Sequence, residues 1–259
     1  MTRARLLLAA ALPLILAACV GGGGPPKPTK RQVAMIDRML ANTPGAAQPS
    51  TIVAAEIAFA RDAQELGQWT AFARYAAPGA MLHGRNGPFP LAPWLATQSN
   101  PPQAVTWKAR TVVMSCDGAL AVSQGRLREP GGTVGNFVTV WERQSDGEYR
   151  YVFDAGGPDV PQPPPQPKVE ARPGDIVVTE IDAIRGLVAT CPRPGVPAPP
   201  PPAISLGEDG KTEAHLSRDT TLRWRWEHRP DGTRYFLAEY YDEGRWLTGI
   251  EQSLVPTGD

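Results

Sequence analysis

Val105-Thr106-Trp107-Lys108-Ala109-Arg110-Thr111-Val112-Val113 decides the fold class. Val105, Trp107, Ala109, Thr111 and Val113 alternate with Thr106, Lys108, Arg110 and Val112, a period of two that gives a strand one largely apolar face. Asp117-Gly118 follows as a tight-turn pair, and Ala119 to Leu127 returns as the partner strand. Pro130-Gly131-Gly132 turns the chain again, and Val134 to Gln144 forms a third strand. Asp146-Gly147 makes a second tight turn, and Glu148 to Asp154 a fourth strand. Strands in succession joined by short turns predict an antiparallel meander.

Upstream the period is helical. Arg31 to Ala41 reads as a short helix stopped by Asn42-Thr43-Pro44-Gly45. From about Ser50, Ile52, Ala55, Phe59, Ala63 and Leu66 fall on one face of a longer helix, with Ser50 as its N-cap and Gly67 just past its end. Trp69, Phe72 and Tyr75 share a face of a third helix ended by Pro78-Gly79, and Pro90 to Gln98 holds another helical turn around Trp94. Helices followed by a meander predict an α+β fold, with N-terminal helices packed on an antiparallel sheet.

Downstream the composition changes. Pro158 to Pro202 contains 14 prolines and reads as an extended, Pro-rich linker over 158–202. Within it, Asp175 to Thr190 is apolar enough to be helix or strand, with strand preferred near Cys191. The last part, 203–259, is a smaller meander of three strands. Leu222, Trp224 and Trp226 alternate with Arg223, Arg225 and Glu227, then Tyr235 to Tyr241 and Arg245 to Ile250 return. So small a sheet is more readily stable when docked. Trp224, Trp226 and Trp246 either dock on the first domain, the preferred reading, or form an exposed patch for a partner.

Arg3 and Arg5 precede an apolar run, Leu6 to Leu16, too short to span a bilayer comfortably. Leu16-Ala17-Ala18-Cys19 then resembles the lipobox of bacterial lipoproteins. The resemblance implies that 1–18 is a signal peptide and that Cys19 becomes the mature N-terminus. It also implies a diacylglyceryl group and an N-acyl chain on Cys19, where one acyl chain would bind a membrane only marginally. Val20 rather than Asp after the cysteine points to the periplasmic side of the outer membrane, if the host has one. An ordinary secretory signal with an incidental cysteine is the alternative. Gly21 to Gly24 and Pro25-Pro26-Lys27-Pro28 make 19–30 a tether.

Composition bounds the partners. Lys plus Arg and Asp plus Glu number 26 each, and no basic run stands out, so nucleic acid is not expected. After Cys19 the chain holds two more cysteines, Cys116 and Cys191, and in an oxidising compartment these are expected to form a disulfide. Two separate buried thiols are the alternative. No CxxC or HxxxH spacing marks a metal site, and no GxSxG, P-loop or GxGxxG pattern is present, so no cofactor is expected.

Three segments carry a family resemblance. They are Val53-Ala54-Ala55-Glu56-Ile57-Ala58-Phe59-Ala60-Arg61; Gly67 through Ala71-Phe72-Ala73-Arg74-Tyr75-Ala76-Ala77-Pro78-Gly79-Ala80; and Gly135 to Gln144 with Asp146-Gly147 and Tyr151-Val152-Phe153-Asp154-Ala155-Gly156. With their order, the chain over about 50–157 resembles the nuclear-transport-factor-2-like superfamily, which includes SnoaL-like and ketosteroid-isomerase-like domains. The resemblance implies a domain at 31–157 with a strongly curved sheet around its helices and a cone-shaped pocket. Members isomerise, dehydrate or cyclise small molecules, or only bind a ligand or a protein, and some are dimers; the fold does not give the function.

In such a pocket, Asp154 is the first candidate for a base, since desolvation raises a carboxyl pKa. Its ordinary reading is a strand-end Asp accepting backbone hydrogen bonds. His83 is a candidate proton shuttle for Asp154, against the ordinary reading of an exposed loop histidine. Glu56 falls at the edge of the helix stripe or points inward. Trp94, Trp107 and Trp141 either line the cone for an apolar ligand or pack the core. The expected role is non-catalytic binding of a small apolar ligand or an envelope protein. An isomerase or dehydratase and a structural accessory lipoprotein are the alternatives.

Overall fold

The computed structural model describes residues 29, 31, 47–164, 183–193, 195–204 and 211–256. The expected signal peptide, Cys19, nearly all of the tether and of the helix Arg31 to Ala41, and Asp175 to Asp182 lie outside the described residues.

Helix α1 spans Pro49–Leu66. It starts with Pro49 in its first turn after Gln48, so Ser50 is inside the helix rather than its cap. Proline's fixed φ suits a first turn, where its missing N–H has no intrahelical partner anyway. Gly67, with φ of 102°, ends α1, and α2 follows at Gln68–Tyr75. The buried stripe of α1 is Ile52, Glu56, Phe59, Asp62 and Ala63, while Leu66, expected inside, is 47% exposed.

Pro78-Gly79 does not end a helix. The chain leaves α2 at Tyr75 and enters strand β1, Ala76–Gly84, which takes up the proline and glycine as an irregularity between Ala76 and Met81. Strand β2 (Gly87–Pro90) turns back on β1, and a short helix α3 (Leu91–Leu95) follows. The expected meander comes next as β3 (Thr106–Met114), β4 (Leu120–Arg128), β5 (Val134–Arg143) and β6 (Tyr149–Pro158). The Pro-rich segment supplies β7, Arg185–Val188. These strands form one sheet in the order β2-β1-β6-β5-β4-β3-β7, antiparallel except for the parallel pairs β1–β6 and β3–β7.

The C-terminal part forms a second sheet of four strands: β8 (Thr212–Leu216), β9 (Leu222–His228), β10 (Arg234–Asp242) and β11 (Arg245–Leu254). Its first strand adds to the three expected. The described chain is thus α+β with three layers. Ile52, Phe59 and Ala71 of the helices meet Val112, Met114, Ala121, Trp141 and Tyr151 on one face of the large sheet. Val113, Val122, Val138, Val140 and Phe153 on its other face meet Leu222, Trp224, Trp226, Phe236 and Ile250 of the small sheet. Trp224 and Trp226 therefore dock inward. Trp246 instead donates its indole N–H to the Pro199 carbonyl at 2.9 Å, and Arg223 donates to the Pro202 carbonyl at 2.5 Å, so the polyproline run lies along the small sheet.

Two β-bulges change the strand period. One lies in β3 between Ala109 and Thr111, so Trp107, Val112 and Met114 all reach the helix side, although the alternation puts Val112 on the face opposite Trp107 and Val113 on the same face as Trp107. Facing it, Gly125 sits so close that a Cβ there would fall 2.0 Å from the Lys108 carbonyl oxygen. The second bulge lies in β6 at Val152: Tyr151 pairs with Trp141, while Phe153 pairs with Val140.

Cys116 and Cys191 lie at disulfide distance, their Cα atoms 5.1 Å apart across a sequence separation of 75. Around them the sheets are cross-tied. The Cys116 N–H donates to Thr221 Oγ1 at 2.9 Å, and the Thr190 N–H donates to the Tyr241 carbonyl at 2.8 Å.

Two predictions follow from this packing. Gly125→Ala forces a side chain against backbone and should lower unfolding free energy by about 3 kcal/mol, read as a lower urea midpoint at unchanged slope. Reduction with dithiothreitol should remove about 4 kcal/mol by freeing the loop in the unfolded chain, read by the same titration.

Candidate functional site

A cavity of about 390 Å³ lies between the helices and the large sheet. Phe59 of α1 and Trp69 and Phe72 of α2 form one wall. Trp107, Phe137, Thr139 and Asp154 of the large sheet form the other, and Arg85, Glu129, Arg234 and Pro256 also line the cavity. Phe59 organises the aromatic wall: its ring centroid is 5.0 Å from Phe72, 4.8 Å from Trp107 and 5.7 Å from Tyr151. Such a volume is at the small end of ligand pockets, which are mostly apolar with a few placed polar groups.

Asp154 is the acidic group set deep in this wall. Strict alternation along β6 would put Asp154 opposite Tyr151 and turn it away from the helices. The bulge at Val152 shifts the phase, so Tyr151 and Asp154 both face the helix side while Phe153 faces the small sheet. Thr139 Oγ1 donates to Asp154 Oδ2 at 2.7 Å. Burial pushes the carboxyl up to about 7; the Thr139 hydrogen bond and the Arg234 charge oppose this, and the Glu56 charge adds to it. A carboxyl poised there can accept or donate a proton at neutral pH. Its hydrogen bond comes from a side chain rather than from the backbone, unlike the ordinary reading of a strand-end Asp.

Glu56 is fully inside, 2% exposed, behind the Trp107 ring rather than at the edge of the stripe. Ser123 Oγ donates to Oε1 at 2.5 Å, Trp141 Nε1 to Oε1 at 3.1 Å, and Trp107 Nε1 to Oε2 at 3.0 Å. Burial raises its pKa and the three donors pull the other way. It is a satisfied structural carboxyl that fixes the Trp107 ring in the cavity wall.

His83 is buried, not an exposed loop residue. The residue lines the cavity, and its ring packs 5.1 Å from Trp226 of the small sheet and 5.9 Å from Phe153 of the large one. The ring hydrogen-bonds across the sheets, Nε2 to His228 Nδ1 at 3.2 Å. Burial, helped by the Arg234 and His228 charges, pushes its pKa down to about 3, so the imidazole is neutral. Leu82, its neighbour, is the β1 residue opposite Asp154. The expected His83–Asp154 pair is thus replaced by a His83–His228 contact on the other face of the sheet.

The three tryptophans separate. Trp107 lines the cavity. Trp94 stands behind the wall, 4.8 Å from Trp69 and 5.6 Å from Phe89. Trp141 is fully enclosed in the helix-side core and does not reach the cavity.

No known protein-family model matches the chain, and no curated protein matches it.

Arg234 was missed by sequence reasoning. It begins β10, in the small sheet, yet its Nη1 donates to the His83 carbonyl at 2.7 Å and to the Gly156 carbonyl at 3.0 Å on the large sheet. Its sole sequence signal is a basic residue right after the Asp231-Gly232 turn, which says nothing about a wall 78 residues away.

The folded Asp154 carboxyl keeps its proton to about pH 7, whereas the unfolded one loses it near the ordinary 3.8. Between those values the folded state binds more protons, so this group's contribution to stability falls as pH rises. Asp154→Asn should match wild type near pH 4 and exceed it by about 4 kcal/mol at pH 8, measured by denaturant unfolding across pH.

Proposed function

We propose that this chain is an exported, lipid-anchored envelope protein that binds a small, largely apolar molecule in the cavity beneath α1 and α2. The observation that carries the reading is the cavity itself: an aromatic wall of Phe59, Trp69, Phe72 and Trp107 that ends at one deep carboxyl, Asp154. Aromatic rings supply apolar contact, and one polar group at the end fixes orientation. Helices packed on one large sheet, with a cavity between them, also support the nuclear-transport-factor-2-like resemblance. The paired cysteines suit an oxidising compartment and so support export.

A second reading, acid–base catalysis on a small organic molecule, is favoured by one feature: the Asp154 carboxyl near 7. In that reading Asp154 takes the proton from the substrate, and a second acid–base group must come from elsewhere than the His83 ring.

Native mass spectrometry of the full chain, purified gently from its own host, tests both readings. A binder carries the same small-molecule adduct in wild type and in Asp154→Asn, and loses it in the cavity-filling Leu82→Trp variant. An enzyme shows an adduct of different mass in Asp154→Asn, where unconverted substrate is retained. A chain that carries no adduct in any form overturns the binding reading.

A further inference from the structure

Asp154 and Arg234 line one cavity without bonding to each other. Arg234 Nη1 donates to the carbonyls of His83 and Gly156 at 2.7 and 3.0 Å. Leu82, next to His83, is the β1 residue opposite Asp154, and Gly156 lies two residues beyond Asp154 in β6. The guanidinium is therefore pinned near the carboxyl from both strands. Burial dominates both pKa shifts; within them the Arg234 charge pulls Asp154 down and the Asp154 charge pushes Arg234 up, so the two groups feel each other. Yet among the described residues no salt bridge joins them: Asp154 Oδ2 takes the Thr139 hydroxyl, and Arg234 gives Nη1 to backbone.

Each group keeps bonding capacity. A guanidinium carries five N–H donors and a carboxylate accepts on both oxygens. The bonds above leave Asp154 Oδ1 and Arg234 Nε and Nη2 for a ligand. An anion placed here is attracted by Arg234 and repelled by Asp154, and a cation the reverse, so neither gains much. Arg85 and Glu129 add one charge of each sign to the lining, and Arg85 is already engaged by its surroundings. A neutral group that donates on one side and accepts on the other meets both partners without this conflict, through charge-assisted hydrogen bonds. Two residues of strand rise about 7 Å. A carboxamide with a hydrogen bond at each end reaches about 8 Å, so the bridge is within its span.

From this juxtaposition, and resting on the ligand-binding reading above, we infer that the ligand is a neutral, largely apolar molecule with a carboxamide-like head that bridges Asp154 and Arg234. Its N–H donates to Asp154 Oδ1, its carbonyl accepts from Arg234, and its apolar body lies along Phe72 and Trp107. Arg234 belongs to β10, so the C-terminal sheet takes part in the site.

Calorimetry with four probes on one ring system tests this: 2-naphthamide, 2-acetonaphthone (the same carbonyl without an N–H), 2-naphthoate and 2-naphthylmethylammonium. The full chain is held in lipid nanodiscs at pH 8, with empty discs as the blank. Naphthamide should bind on the order of tenfold tighter than acetonaphthone, and both charged probes more weakly than naphthamide. Asp154→Leu should erase the lead of the amide over the ketone. Arg234→Met should weaken amide and ketone by the same factor. Calorimetry reads Kd and stoichiometry separately, so a partly unfolded variant lowers the stoichiometry and leaves the Kd. Equal binding of amide and ketone to wild type, a charged probe that binds tightest, a lead that survives Asp154→Leu, or an amide Kd unchanged in Arg234→Met overturns the inference and leaves the ligand-binding reading standing. No binding of any probe overturns both.

Discussion

The large sheet carries buried apolar side chains on both of its faces, and this constraint shapes the molecule. A sheet covered only by helices would leave Val113, Val122, Val138, Val140 and Phe153 in water. At roughly 1.5–3 kcal/mol for each large side chain, that exposure is comparable with the whole stability of a domain. The small sheet supplies the missing cover through Leu222, Trp224, Trp226, Phe236 and Ile250. It is therefore a layer of the fold and not an appendage on a tether. The polyproline run between the sheets is likewise built in, through β7 at the sheet edge and the Arg223 and Trp246 bonds to proline carbonyls.

Within this frame Glu56 and Asp154, both on the helix side of the large sheet, have opposite surroundings. Glu56 accepts from one hydroxyl and two indoles, so its oxygens have their hydrogen bonds where it lies. Asp154 accepts from Thr139 and faces an open cavity. The difference traces to backbone geometry. One extra residue in β6 turns the second carboxyl from the inter-sheet core, where an aspartate would be untenable, to the face where a ligand can meet it.

Regular periodicity was legible in the sequence, and departures from it were not. The meander strands were read within a few residues because their alternation and turn pairs agree. β1 was hidden because Pro78-Gly79, a common helix terminator, lies inside a strand that tolerates an irregularity. The bulges in β3 and β6 were hidden because nothing in Ala109-Arg110-Thr111 or Tyr151-Val152-Phe153 marks an extra residue. Hence Val112 was assigned to the wrong face, and the inward turn of Asp154 could be guessed from its chemistry but not from its spacing. Glu56 broke the apolar stripe of α1, so it was placed at the edge, although two tryptophans and a serine from three strands converge on it. His83 and Arg234 belong to contacts between elements more than 140 residues apart, which no local pattern records.

The cavity draws its walls from Phe59 to Pro256, almost the whole described length of the chain. It therefore exists only after the last strand has paired. The complete cavity is thus a property of the fully folded chain and of no N-terminal part of it.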